Sequence, residues 1–129
     1  MHTDPISDMF VRIKNAQAVG FPVVEMPYSK IKYQIADILN KEGLIDKIEK
    51  KFKKTNKILK LNLKYDGKEP LIKEMKRISK PSRRVYAKKL EILKRAGYGI
   101  KIVSTPQGLM TVKEAHKKGL GGEVICQIW

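Results

Sequence analysis

Residues 59–65 read Leu-Lys-Leu-Asn-Leu-Lys-Tyr. Leu59, Leu61, Leu63 and Tyr65 alternate with Lys60, Asn62 and Lys64, which predicts a half-buried strand with a basic outer face. Upstream, the polar run Lys53 to Lys57 predicts a hairpin that joins this strand to a second candidate, Ile45 to Phe52. Before that the period is helical. Ile31, Ile35, Ile38 and Leu39 face one way after a start at Ser29, and Gly43 closes the segment. Ile6, Met9, Phe10 and Ile13 make one apolar stripe over Pro5 to Ala18, with Thr3 or Asp4 as cap, Pro5 in the first turn and Gly20 past the end. Val23 to Met26, bounded by Pro22 and Pro27, is short and β-prone.

Downstream, Asp66-Gly-Lys-Glu-Pro70 is turn-like and predicts a boundary between two halves, residues 1–66 and 67–129. Leu71 to Ser79 fits a strand or a short helix almost equally well, and Pro81 breaks the chain. Arg83 to Ala87 reads as a short strand, and Leu90 to Ala96 as one or two helical turns closed by Gly97 and Gly99. Ile100 to Val103 reads as a strand, and Ser104 to Gly108 as a tight loop in which Pro106 fixes φ and Gly108 opens conformations closed to other residues. Thr111-Val-Lys-Glu114 is a capping box for a short helix ending at Gly119. Gly121-Gly122 is either a turn or a backbone trimmed for close approach to a ligand, and Glu123 to Trp129 is β-prone. Helices mixed with short hairpin-linked strands make an α+β class.

The chain has 129 residues, 42% of them hydrophobic, enough for a core. Its 28 Lys and Arg against 13 Asp and Glu give a formal charge of +15. Such an excess points to a polyanion, since neutralising phosphates releases condensed counterions. No apolar run approaches the ~20 residues a spanning helix needs, and the N-terminus lacks the basic-then-apolar pattern of a secretory signal, so no membrane association is expected. The single cysteine, Cys126, fits a reducing cytosol and reads as an unreactive core thiol.

Two histidines, His2 and His116, and one cysteine lie scattered, so no metal site, catalytic triad or cofactor loop is expected, and Gly97-Tyr-Gly99 lacks the rest of a dinucleotide fingerprint. Catalysis has no visible residues, which leaves a small nuclease as the rival enzyme reading. Positive charge is concentrated instead. Lys47 to Lys64 holds eight basic residues and one acid, and Lys73 to Arg95 holds ten and two. A charge run is ordinarily a solvated face. In the second run, however, Tyr86 sits among Arg83, Arg84, Lys88 and Lys89, offering a stacking surface beside phosphate anchors. The other reading makes Tyr86 a core residue with its hydroxyl at the rim. Hydroxyl and amide side chains in Ser104-Thr-Pro-Gln-Gly108 could reach base edges or sugar hydroxyls, although the same residues are ordinary in turns.

Longer matches carry a resemblance. Gly99 to Thr111 (GIKIVSTPQGLMT), Glu114-Ala115 and Gly121 to Cys126 (GGEVIC) resemble the C-terminal signature of the bacterial small-subunit ribosomal protein eight family. Asp4 to Asn15 looks like that family's opening helix, Met26 to Lys30 the start of its second, and Ser79 to Pro81 with Arg84 to Tyr86 its middle. The resemblance implies two small α+β subdomains packed together, with mixed short sheets and short helices, and makes Leu71 to Ser79 a strand. It implies direct binding to the central domain of the 16S ribosomal RNA at an irregular, looped-out stem, a part in assembly, and in some bacteria repression of the protein's own operon messenger RNA. It further implies the fifth and twelfth small-subunit proteins as neighbours, a cytoplasmic place in the ribosome, and no small-molecule substrate.

By the same resemblance the RNA-reading loop falls on Ser104, Thr105 and Gly108, flanked by Pro106 and Gln107 where many members carry Ser and Lys. Arg84, Tyr86 and Lys88 fall on the basic–aromatic contact strand, and Lys30 at the start of the second helix. Gly121, Gly122 and Glu123 fall on the loop whose carboxylate orders the RNA surface. His116 stands where Arg is usual. The alternative to a ribosomal role is a general RNA- or DNA-binding architectural protein.

Overall fold

A computed structural model describes residues 4–92 and 98–129. Thr3 as a cap, His2, and most of the helical turns expected over Leu90 to Ala96 lie outside the described residues. The chain divides into two compact units, Met1–Ile72 and Lys73–Trp129. The Asp66 to Pro70 turn is a small hairpin near the end of the first unit, formed by β4 (Tyr65–Asp66) and β5 (Glu69–Pro70).

The first unit lays two helices on a three-stranded antiparallel sheet. Helix α1 (Pro5–Ala18) starts where Asp4 accepts from the Ile6 N–H at 3.1 Å and from the Ser7 hydroxyl at 2.7 Å. Its predicted stripe of Ile6, Met9, Phe10 and Ile13 is buried. Strand β1 (Val23–Pro27) leads to α2 (Lys30–Lys41), capped by Ser29, whose hydroxyl accepts from the Lys32 N–H at 3.3 Å. On α2, Ile35, Ile38 and Leu39 are buried as expected, but Ile31 is only half-buried and Lys32 takes the inward place. Burial lowers the Lys32 pKa, opposed by the nearby Asp8 carboxylate. Its ammonium donates to the Pro27 carbonyl at 3.0 Å, tying the first turn of α2 to the end of β1.

Strands β2 (Ile45–Lys53) and β3 (Asn56–Leu63) form the expected hairpin, and the sheet order is β1-β3-β2. Leu59, Leu61 and Leu63 are buried while Lys60 and Asn62 take the other face, as the alternation predicts. Burying each such leucine contributes about 1.5–3 kcal/mol. At the hairpin's turn Lys54 adopts φ 57°, the only non-glycine with positive φ among the described residues. Left-handed backbone disfavours a residue with a Cβ, so Lys54→Gly is expected to stabilise the first unit by about 0.5–1 kcal/mol, after the extra freedom glycine gives the unfolded chain. A denaturant midpoint that fails to rise would contradict this.

The second unit is built around β10 (Gly122–Ile128), which pairs along one side with β8 (Ile100–Thr105) and through it with β9 (Gly108–Thr111). Its other side is shared by two fragments of one segment: β6 (Met75–Arg77) pairs with Cys126 to Ile128, and β7 (Tyr86–Ala87) with Gly122 and Glu123. The strands expected over Leu71 to Ser79 and Arg83 to Ala87 are therefore much shorter than their sequence ranges. A bulge between Val124 and Cys126 explains the split. The carbonyl of the bulged Ile125 accepts from the backbone N–H groups of Ile78 and Ser79 and, at 2.7 Å, from the Arg77 guanidinium. There the chain leaves the sheet edge, and it returns at Tyr86.

Strand β9 was not expected. Residues 104–108 do not form a loop: β8 runs through Ser104 and Thr105, the turn contracts to Pro106-Gln107, and Gly108 opens β9 with φ 108°. Helix α3 (Val112–Lys118) comes directly after it, its Thr111 cap accepting from the Glu114 N–H at 3.2 Å. The Glu114 carboxylate does not complete the box; it lies 3.7 Å from the Lys118 ammonium. The helix ends at Gly119 in the left-handed conformation. Val103, Met110, Val112, Ala115, Val124, Ala87 and Ile92 form the core between α3 and the sheet.

Candidate nucleic-acid interface

Strand register assembles the site. Tyr86 on β7 lies opposite Glu123 on β10, Glu123 opposite Ser104 on β8, and Ser104 opposite Leu109 on β9. Directly opposed residues share a face, so an aromatic ring, a carboxylate, a hydroxyl and the Leu109 side chain stand in one row across four strands. The neighbouring row, Val124, Val103 and Met110, points the other way into the core beneath α3. Tyr86 is 65% exposed, which excludes its reading as a core residue. The Arg84 guanidinium donates to the Glu123 carboxylate at 3.0 Å, with Arg84 more open to solvent than its partner. Glu123 thus pairs with Arg84 on the face of the sheet that carries Tyr86. Lys88, two residues beyond Tyr86, is exposed.

Strand alternation separates the adjacent hydroxyls Ser104 and Thr105. Ser104 is on the row with Glu123, and its hydroxyl makes no hydrogen bond within the protein among the described residues. Thr105 is buried, donates to the Gly108 carbonyl at 2.8 Å and accepts from the Gln107 N–H at 3.1 Å. It closes the Pro106-Gln107 turn and shapes the row's edge. Pro106 and Gln107 are exposed at the tip. Lys30 is exposed on the first turn of α2 in the first unit, whereas the other candidate residues all belong to the second.

The two glycines serve the protein's own backbone. A Cβ on Gly121 would sit 2.5 Å from the Ala87 carbonyl oxygen and 2.6 Å from the Lys89 nitrogen. A Cβ on Gly122 would overlap the Ser104 carbonyl. The close approach left open in the sequence is therefore strand to strand, and Gly122 and Glu123 belong to β10 rather than to a loop.

Sequence reasoning missed the part played by Ser79. Its hydroxyl is fully buried, accepts from the Val85 N–H at 2.7 Å and donates to the Val85 carbonyl at 3.2 Å. It clips together the two ends of the basic segment between β6 and β7. Only the six-residue spacing to Val85 hints at this, and it carries no meaning without the fold.

Among the described residues no cluster of three or more His, Cys, Asp or Glu is placed to hold a metal ion, and no helix is long and apolar enough to cross a membrane. Cys126 is fully buried on β10, and burial pushes its thiol up to about 12. A thiol pKa raised on folding gives stability that is complete below the unfolded value of about 8.5 and is lost as pH rises from there toward the folded value. The native protein is expected to resist a thiol-labelling disulfide reagent at pH 8 and to react with one equivalent in denaturant. Rapid native labelling would show that β10 opens.

Comparison with known proteins gives matches along nearly the whole chain. Residues 4–129 match the family described as ribosomal protein S8. The small ribosomal subunit protein uS8 of Dictyoglomus turgidum is 51% identical over 128 residues, covering 98% of each chain. Those of Clostridium novyi and Caldanaerobacter subterraneus subsp. tengcongensis are 51% and 52% identical, again over 98% of each chain. Matched from α1 to the end of β10, the chain belongs to the ribosomal protein S8 family of the small ribosomal subunit, whose members are ribosomal proteins and not enzymes.

Proposed function

We propose that the chain binds the central domain of 16S ribosomal RNA through the Tyr86–Glu123–Ser104 row, at a stem distorted by unpaired bases, and helps organise that domain during assembly. The row itself carries the reading: an exposed ring, a free hydroxyl and an oriented guanidinium share one face of a rigid sheet. Phosphate contacts from Arg84 and Lys88 supply affinity, while Tyr86 and Ser104 inspect an exposed base, and Lys30 is a phosphate contact of the first unit by itself. Thr105, Gly108, Gly121, Gly122 and Glu123 position them, and Pro106 and Gln107 present the turn. A-form RNA keeps its base edges in a deep, narrow groove, so such a row can read them only where the helix opens. A similar stem in the operon messenger RNA would be bound in the same way and its translation repressed. The fifth and twelfth small-subunit proteins are the proposed neighbours.

The deciding experiment compares a central-domain stem with a fully paired duplex of equal length. Preference for the irregular stem by tenfold or more is expected, and equal affinity would overturn the reading. Replacing Arg84 and Lys88 with Gln should lower the slope of log K against log salt by on the order of one unit per lost phosphate contact. An unchanged slope would place those side chains in solvent in the complex.

A further inference from the structure

The first unit has an aromatic surface of its own at the turn end of the β2–β3 hairpin. Phe52 pairs with Lys57 and Lys50 with Leu59, so these side chains share the face on which Leu59 and Leu61 are buried. Near the tip that face is uncovered, and Phe52 is 75% exposed. Tyr28, held by its N–H to the Lys57 carbonyl at 3.0 Å, and Tyr33 of α2 border it with ring centroids 6.2 Å apart. The Lys50 ammonium is 4.2 Å from the Tyr33 centroid and 5.6 Å from that of Tyr28. That of Lys57 is 4.2 Å from Tyr28 and 5.7 Å from Phe52. A cleft of about 630 Å³ adjoins them, with Arg12, Glu25, Tyr28, Asn56 and Lys57 in its lining.

Residues 50–57 hold five lysines and no acid. An apolar protein surface docking on Phe52 would have to strip water from these ammoniums without compensation. A strand of RNA offers both things the patch lacks: flat faces for the rings and phosphates for the lysines. We infer that this hairpin end is a second RNA-contact surface, which stacks an unpaired nucleotide on Phe52 and Tyr28 while Lys50 and Lys57 turn to the flanking phosphates. The inference rests on the reading of the chain as an RNA-binding protein, but not on the Tyr86 row.

The test uses the full chain and labelled hexauridylate, which has no stem to present. Saturable binding is expected, weakened roughly 5- to 150-fold by Phe52→Ala, the range for losing one base–aromatic stack. Phe52→Trp should restore it, and Phe21→Ala, removing an exposed aromatic elsewhere on the unit, should change it less than twofold. Phe52 is exposed, so the variants should melt with the wild type. No saturable binding, an unchanged affinity in Phe52→Ala, or equally tight binding of hexaglutamate would overturn the inference. Loss of the irregular-stem preference with the Phe52 effect intact would instead defeat only the reading of the second unit.

Discussion

Gly122→Ala is expected to lower the unfolding free energy by about 3 kcal/mol, at the upper end of the cost of overpacking. The added methyl would overlap the carbonyl of Ser104, and backbone cannot swing aside as a flexible side chain can. Relief requires β10 and β8 to part where Glu123 pairs with Ser104, the centre of the proposed row. Stability and specific RNA binding should therefore fall together, read by denaturant unfolding and by stem binding of the fraction still folded. Gly119→Ala supplies the contrast. Nothing lies within 4 Å of a Cβ there, so only the left-handed backbone is penalised, at about 1 kcal/mol, and stem binding should hold. Should the two variants prove equally mild, the approach of β8 and β10 would have to be looser than the structure has it.

The same strand register explains what could and could not be read from the chain. Helices α1 and α2 were legible because cap, stripe and stop are written within a dozen or so neighbouring residues, and Asp4, Ser29 and the buried isoleucines all act locally. Strand β3 was legible because alternation continues through it. The second unit resists such reading. Strands β6, β7 and β9 span only two to four residues each, and their pairing is decided by β10 or β8. The bond from Arg77 to Ile125 crosses 48 positions of sequence. Residue types at the site were visible, since Tyr86 stands out within a basic run. Their faces were not. Ser104 and Thr105 are neighbours with opposite duties, and only pairing with Glu123 shows which hydroxyl is open. The Phe52 patch did leave a trace, an aromatic within a run of lysines, the same signal that singled out Tyr86.

Ser79→Ala is expected to cost about 2 kcal/mol, the range for leaving a buried donor unsatisfied. The Val85 carbonyl would keep a partner in the Val124 N–H at 2.8 Å, but the Val85 N–H would lose the Ser79 hydroxyl. The effect on RNA binding separates a structural clip from a merely stabilising contact. A domain stable by even about 5 kcal/mol stays almost wholly folded after such a loss, so global unfolding cannot weaken binding measurably. The segment from Lys80 to Arg84 would keep the backbone pair between Lys80 and Arg83, at 2.7 and 2.9 Å, but lose the side-chain bond at its base, and reordering against RNA whatever this loosens would cost about 0.5–1.5 kcal/mol for each long side chain fixed. Stem affinity should drop several-fold while the salt slope holds, because the same cations still meet the same phosphates. Undiminished affinity in Ser79→Ala would mean that β7 alone sets the position of Tyr86. A reduced slope would mean that Arg84 depends on the Ser79 clip as well as on Glu123 for its place.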